Sequence, residues 1–253
     1  MEVRVGDLTI EVVGAASPKF TAPLLLVHGL WSTAAMWRRY TGFLAHRGWL
    51  CHAVNLRGRC GAPSATQLLD YQDDVERAIS AMHPAPVIVG HDLGGLLALR
   101  AARDACAVVA LTPLVSWPHA AVRGSQRLAM MTGRPVPAPR GRRGHAYFGD
   151  PALPHVVEPA TLLRELARNE RALTAPAPPT LIVAGGRDPF VATATAQTLA
   201  QRIGATFHVD QHAGHALPVE AGWERRVGDM HRWLIQQLGD PLLALREESE
   251  QED

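Results

Sequence analysis

Short apolar runs alternate along the chain with segments in which apolar residues recur at helical spacing. The runs at 24–28 and 50–55 are almost continuously apolar, which is typical of strands covered on both faces. Further strands are predicted at 3–5, 9–13, 86–90, 107–111, 180–184 and 206–209, and helices at 35–47, 68–82, 93–103, 192–203 and 220–238. Because strands and helices alternate, the pattern predicts an α/β fold with a doubly wound, mostly parallel sheet.

One stretch, residues 113–179, interrupts this alternation. It is rich in proline and glycine, has no clear strand, and carries two helical patterns at 121–131 and 159–172. An insertion of this length inside a compact domain is usually functional, as a lid, or partly disordered. Its basic run at 134–143 would suit an anionic ligand, but a solvated mobile loop is the simpler interpretation and the one we prefer.

Composition and charge exclude several classes of function. Of the 253 residues, 47% are hydrophobic and the net charge is only +1, so the chain can bury a sizeable core and has no bulk attraction to nucleic acid or an anionic membrane. Three cysteines disfavour a disulfide framework, and neither a leader peptide nor an apolar stretch of roughly 20 residues is found. We therefore expect a soluble, cytoplasmic protein that acts on a small molecule. The acidic residues 239–253 are expected to form a flexible tail.

The segment 86–99 carries the first sign of chemistry. It consists of an apolar strand, a glycine-flanked turn and a helix, which is the context of a nucleophile elbow. Gly90 and Gly94 suit a turn too tight for side chains at those positions. The central residue, Asp92, is expected above the carboxyl edge of the sheet at a helix N-terminus, where backbone N–H groups favour an anion.

Two downstream residues and one upstream motif complete a candidate catalytic site. Asp188 follows a predicted strand, and His215 follows the last short strand. Asp188 would hold one tautomer of His215 and stabilise its protonated form. Upstream, the backbone N–H of Leu30, together with that of Leu93, would form an oxyanion hole.

With these motifs in place, the chain resembles the bacterial α/β-hydrolases along nearly all of residues 1–238. The resemblance is specific for the fold and the triad positions and weak for the substrate. It implies eight core strands, a core formed by residues 1–112 and 180–238, and a helical cap inserted at 113–179 after the sixth strand. The motifs that carry it are H-G-x-W at 28–31, L-R-G at 56–58, the elbow at 90–95, G-x-D at 186–188 and G-H at 214–215.

The sequence departs from this family at the centre of the elbow, where members with such a motif commonly carry serine. Asp92 changes the class of reaction, because a carboxylate that attacks a carbonyl carbon forms a high-energy anhydride. A carboxylate instead attacks sp³ carbon to give an alkyl ester, which water activated by His215 would then hydrolyse. Epoxide hydrolases and haloalkane dehalogenases of this fold use that route, and it needs no cofactor or metal.

Side chains around the elbow favour an epoxide over a haloalkane. Dehalogenases of this fold hold the halide with a tryptophan after the nucleophile and often an asparagine after H-G, where this chain has Leu93 and Leu30. Epoxide opening needs an acid for the departing alkoxide, and Tyr147 in the insertion is the candidate. His145 and Trp117 are possible substitutes, and we expect Trp31, Trp117 and Tyr147 to line an apolar pocket between the cap and the sheet. H-G-x-P, frequent in epoxide hydrolases, is absent.

Other interpretations of Asp92 stay open. It is a general base if the chain is a lyase, an isomerase or an esterase-related enzyme, or it inactivates the site, by nature or by engineering, in a small-molecule binder. His91 is expected to pack or hydrogen-bond beneath the site, although it also adjoins the pocket and is a possible acid. A metal site at His208, His212 and His215 is disfavoured, because no carboxylate or cysteine accompanies them at ligand spacing.

Overall fold

The computed structural model describes residues 1–59, 67–114, 122–150, 152–168, 173, 175 and 177–239. Eight strands form one sheet in the order β1-β2-β4-β3-β5-β6-β7-β8. The strands are β1 (Glu2–Val5), β2 (Leu8–Val13), β3 (Leu24–Val27), β4 (Cys51–Asn55), β5 (Val87–His91), β6 (Ala107–Leu111), β7 (Thr180–Gly185) and β8 (Thr206–Asp210). β2 pairs antiparallel with β1 and β4, and every other neighbouring pair is parallel.

Helices cover both faces of this sheet. They are α1 (Arg38–His46), α2 (Leu68–Ser80), α3 (Leu93–Arg100), α4 (Ser125–Thr132), α5 (Gly141–Phe148), α6 (Ala160–Arg168), α7 (Thr193–Ile203) and α8 (Trp223–Leu238). Alternate residues of β3 enter opposite cores: Leu25 and Val27 belong to the core that also contains residues of α2, α3 and α7, whereas Leu24 and Leu26 belong to the core that contains residues of α1 and α8. The predicted α/β fold with a doubly wound, mostly parallel sheet is therefore confirmed.

Several predicted boundaries are wrong by a few residues, and for identifiable reasons. The helix expected at 35–47 begins as a 3-10 helix (Ala34–Trp37), where Thr33 accepts a hydrogen bond from the Ala35 N–H. The helix expected at 93–103 stops at Arg100 and is followed by a second 3-10 turn. The last helix begins at Trp223 rather than 220, because Gly222 precedes it in the left-handed region at φ +82°.

The insertion (residues 113–179) departs most from expectation. Its basic run at 134–143 was expected to be a solvated loop, but α5 begins at Gly141 inside that run. Gly144 permits α5 to pack closely against the preceding segment, since a Cβ at this position would lie 2.5 Å from the carbonyl oxygen of Pro139. Val136 and Glu158 also form an isolated antiparallel bridge. The helical patterns at 121–131 and 159–172 correspond to α4 and α6.

Two further features of the chain, its C-terminal tail and the capacity of its helices to span a membrane, lie apart from the site. Residues 240–253, nearly all of the predicted acidic tail, lie outside the described residues. Among the helices of the described ranges, none combines the length and apolar character needed to cross a membrane.

Two glycines allow the strand β5, the strand β3 and the helix α3 to approach one another closely. A Cβ on Gly90 would lie 2.1 Å from the carbonyl oxygen of Gly94, and a Cβ on Gly94 would lie 2.1 Å from that of Val27. Both distances are far below van der Waals contact, and the obstructing atoms belong to the backbone. Any side chain at these positions would force the elbow apart.

We expect Gly94→Ala to lower the free energy of unfolding by at least about 2 kcal/mol, because overpacking against backbone cannot relax by a rotamer change. Gly42→Ala is the matched control, since it lies in α1 with nothing within 4 Å of its Cβ position. That change should raise stability by about 0.5–1 kcal/mol through helix propensity. Urea denaturation followed by circular dichroism measures both, and equal effects would contradict the packing argument.

Candidate active site

The elbow holds Asp92 in a strained backbone conformation between β5 and α3. Asp92 has φ +53° and ψ −116°, and non-glycine residues at positive φ are uncommon. Surrounding backbone bonds hold it there: its N–H donates to the carbonyl of Leu111 at 3.0 Å, and its carbonyl accepts from the N–H of Leu114 at 2.9 Å. Strain of this kind persists only where neighbouring structure over-determines it, and it clusters at functional sites.

One oxygen of the Asp92 carboxylate lies in the predicted oxyanion hole. The Leu30 N–H donates to Oδ2 at 2.9 Å. The Leu93 N–H also favours the charged carboxylate and lowers its pKa. Gly29 makes this approach possible, because a Cβ there would lie 2.7 Å from Oδ2. The two backbone donors therefore stabilise negative charge on the enzyme's own carboxylate.

The other oxygen of Asp92 faces His215. The His215 Nδ1 lies 2.8 Å from Asp188 Oδ2, and since a carboxylate only accepts, Nδ1 carries the proton. The lone pair on Nε2 then points toward Asp92 Oδ1, 3.9 Å away. Neither Nε2 nor Oδ1 has a hydrogen-bond partner among the described residues, and both are buried. His215 is thus arranged to take a proton from a third molecule beside the carboxylate.

The electrostatics of the three groups follow from burial and pairing. Burial alone would raise the pKa of Asp188, but His215 and the N–H groups of Phe190 and Val191 outweigh it, so this pKa lies below its ordinary value. Burial alone would lower the pKa of His215, but Asp188, followed by Asp92, raises it above its ordinary value. Burial raises the pKa of Asp92, against opposition from His215, Tyr147 and Leu30.

Helix α5 delivers Tyr147 to the same carboxylate. Its hydroxyl donates to Asp92 Oδ2 at 2.7 Å, and its ring packs against Trp31, Phe190 and His215 at centroid distances of 5.4, 5.0 and 4.6 Å. Burial, and then the charge of Asp92, raise the pKa of Tyr147 well above its ordinary value. The hydroxyl therefore keeps its proton and acts as a donor.

Of the remaining sequence candidates, those that the structure describes have their polar groups directed away from the Asp92 carboxylate or toward solvent. His91 Nε2 lies 2.9 Å from the His215 carbonyl, so the His91 ring donates a hydrogen bond to it and stabilises the loop that carries His215. Burial lowers the pKa of His91 to about 3, which keeps it neutral. The Trp31 indole N–H donates to the Val136 carbonyl at 3.1 Å, and His145 is exposed to solvent. Trp117 lies outside the described residues.

Sequence reasoning missed a buried polar group behind the oxyanion hole. Glu158, in the insertion, accepts from the Trp31 N–H at 2.7 Å and is ion-paired with Arg59. A single glutamate in a proline-rich segment gives no motif, and only the folded chain brings it to residue 31. Within the described part of the chain, no group of three or more His, Cys, Asp or Glu side chains is arranged to hold a metal ion.

Comparisons with known proteins agree with this fold. A family model described as "Alpha/beta hydrolase family" matches residues 24–227. The putative carbamate hydrolase RutD of Variovorax paradoxus (strain S110) is 30% identical over 243 residues, which cover 83% of this chain and 89% of that protein. The chain therefore belongs to the alpha/beta hydrolase family, and this membership supports hydrolase activity.

Two solved structures show the same fold at lower identity. The monoacylglycerol lipase of Paleococcus ferrophilus superposes with a TM-score of 0.72 at 19% identity, covering 91% of this chain and 99% of that chain. A thermophilic esterase from Thermogutta terrifontis gives a TM-score of 0.69 at 21% identity, covering 90% and 93%. At these identities the likeness concerns the fold alone.

The pKa of His215 provides a test of the triad geometry that does not depend on any substrate. We expect it to lie above the usual histidine value, and Asp188→Asn should lower it, because the change removes the negative charge that raises this pKa against burial. Histidine NMR titration, with His215→Gln for assignment, measures the midpoint. Asp104→Asn, a change at an exposed carboxylate, is the control. An unchanged midpoint in Asp188→Asn would disprove the coupling.

Proposed function

We propose that the protein hydrolyses a small, largely apolar epoxide through an ester on Asp92. The observation that carries this proposal is the orientation of the Asp92 carboxylate, with Oδ2 in the oxyanion hole and Oδ1 facing His215. An acyl-transfer site leaves its hole to the oxygen of a substrate carbonyl. Here the nucleophile's own oxygen uses the donors, which suits an ester whose carbonyl carbon is Asp92 Cγ.

In the first step, Asp92 Oδ1 attacks an epoxide carbon, and the ring C–O bond breaks. The alkoxide oxygen takes the hydroxyl proton of Tyr147, whose oxygen must turn from Oδ2 to the substrate. Esterification removes the charge of Asp92, which is the second cause of the raised pKa of Tyr147 after burial. The tyrosine therefore becomes a better acid as the alkoxide forms.

In the second step, His215 Nε2 takes a proton from water, and the hydroxide attacks Asp92 Cγ. The negative charge of the tetrahedral intermediate develops on Oδ2, to which the Leu30 N–H already donates, and the Leu93 N–H adds to the stabilisation of charge on this group. Collapse breaks the bond between Cγ and the substrate oxygen, and that oxygen receives the proton from His215. A diol leaves, and the carboxylic acid formed at Asp92 returns its proton to the Tyr147 phenolate left by the first step, which restores both groups.

A second candidate function comes from the RutD relative, whose name describes a carbamate hydrolase. Carbamate cleavage would use Asp92 and His215 as general bases on water that attacks the substrate carbonyl. The occupied hole counts against it, because a carbamate oxygen would have to displace Asp92 Oδ2 from the Leu30 N–H. Haloalkane cleavage has less support, since Leu30 and Leu93 offer no side-chain N–H to a halide.

The covalent step is tested by isotope labelling with styrene oxide as the probe. Single turnover in ¹⁸O-water should place the label in the Asp92 carboxylate, because water attacks Cγ rather than the substrate. His215→Gln should accumulate an adduct with the mass of the epoxide, since only the second step needs the base. Peptide mass spectrometry reads both results, and Asp92→Asn should form no adduct. Turnover without label in Asp92 would favour the general-base alternative.

Tyr147→Phe tests the acid assigned to the first step. We expect alkylation by styrene oxide to slow by ~10²–10⁴-fold, the range of general acid catalysis. Alkylation by phenacyl bromide should change little, because bromide leaves without a proton. Tyr40→Phe is the matched control, a buried tyrosine in α1 on the opposite side of the sheet. Equal losses with both probes would refute the role of the hydroxyl as acid.

A further inference from the structure

Trp31 follows Leu30, whose N–H forms the oxyanion hole. All three polar groups of Trp31 form hydrogen bonds with the insertion. Its N–H donates to Glu158 Oε1 at 2.7 Å, and its indole N–H donates to the Val136 carbonyl at 3.1 Å. Its carbonyl accepts from the Val156 N–H at 3.0 Å. Trp31 is fully buried and has φ +56°, a conformation that tryptophan adopts only under constraint.

Glu158 is itself held rigidly. Its side chain has no exposed surface, Oε2 accepts from the Tyr71 hydroxyl at 2.7 Å, and Oε1 is paired with the Arg59 guanidinium. Arg59 in turn donates from Nε to the Ser32 carbonyl at 3.1 Å. Glu158 and Arg59 therefore bind the loop at two points, the Trp31 N–H and the carbonyl of the next residue. The backbone of Glu158 is fixed by two hydrogen bonds to Val136, at 2.7 and 2.9 Å.

We propose that Glu158 is a positioning residue that shapes the oxyanion hole through Trp31. The bond from the Trp31 N–H to Glu158 maintains the strained φ of Trp31, and this conformation directs the preceding Leu30 N–H at Asp92 Oδ2. The role is specific to the hydrolysis of the alkyl ester, so the inference rests on the proposed function. The insertion thereby supplies the tyrosine for the first step and the support of the hole for the second.

The two chemical steps depend differently on the hole. During alkylation, charge leaves the Asp92 carboxylate, so a weaker hole does not slow the attack. During hydrolysis, a full negative charge returns to Oδ2, and a misdirected Leu30 N–H raises that barrier. Loss of the Glu158 contact should therefore slow the second step alone. A purely structural role would slow both steps or neither.

The test uses two double variants with the same charge. A single change at Glu158 would leave Arg59 buried without a partner and could unfold the protein. Arg59→Met with Glu158→Gln keeps an acceptor for the Trp31 N–H, whereas Arg59→Met with Glu158→Leu removes it. Thermal unfolding should show that both fold. Any difference between them then reports on the acceptor rather than on the ion pair.

With styrene oxide, we expect the leucine variant to have a kcat ~10- to 100-fold below that of the glutamine variant, since a misdirected donor loses part of the ~10²–10³-fold effect of deleting one. Its alkylation rate constant should be unchanged within about twofold. KM should fall with kcat, because the alkyl-enzyme accumulates, and mass spectrometry should detect the adduct. Equal slowing of both steps, or identical kinetics in the two variants, would overturn the proposal.

Amide hydrogen exchange without substrate separates this inference from the proposed function. The peptide that covers residues 29–31 should exchange faster in the leucine variant, while peptides from β5 stay protected. If exchange responds in this way but no variant forms an adduct, the proposed function fails and the positioning of the hole stands. If the unmodified protein forms the adduct but neither exchange nor hydrolysis distinguishes the variants, the inference fails and the function stands.

Discussion

The buried carboxylate of Asp92 is the constraint on which the rest of the site depends. An unpaired charge without solvent contact is unstable in a protein interior, and burial does raise the pKa of this group. The Leu30 and Leu93 N–H groups, the Tyr147 hydroxyl and His215 all reduce that cost. In the mechanism we propose, each of these groups also has a chemical role in ester formation or hydrolysis. On that proposal, the interactions that make the buried charge tolerable are the ones that control its reactivity.

Close backbone approach is what brings these donors to one point. The C-terminal ends of β3 and β5 and the first turn of α3 meet at distances that only glycine permits at positions 90 and 94. Gly29 likewise allows the Asp92 side chain to approach the oxyanion hole, because a Cβ at residue 29 would collide with that side chain. The helix N-terminus then adds its own partial positive charge to the site. Local sequence thus determines how closely the strand ends and the helix approach, and residues of the insertion then fix Trp31 and the Asp92 backbone.

The contrast between contacts set by local motifs and contacts made by distant residues explains which features were predictable from the sequence. The sheet, the elbow and the order Asp92, Asp188, His215 depend on apolar periodicity and on short motifs at strand ends, so they could be predicted. Helix α5 could not, because two glycines among its eight residues weaken the helical signal and its buried Tyr147 packs against Trp31 and Phe190, which are distant in sequence. Glu158 was missed for a related reason. Its partners are Trp31, 127 residues away, and Arg59, 99 residues away, and such pairings appear only once the chain is folded.

In the mechanism we propose, an aspartate rather than a serine at the elbow also changes what the oxyanion hole recognises. With serine, the hole is available for the substrate's oxygen and selects for a carbonyl. With Asp92, the hole is filled by Oδ2, so the substrate is selected by what Oδ1, Tyr147 and the surrounding rings of Trp31 and Phe190 can contact. Those contacts offer an apolar surface and one proton donor, which is what an epoxide needs and more than a simple apolar ligand would use. On the proposed mechanism, aspartate at this one position therefore moves the selectivity of the site from the hole to the insertion.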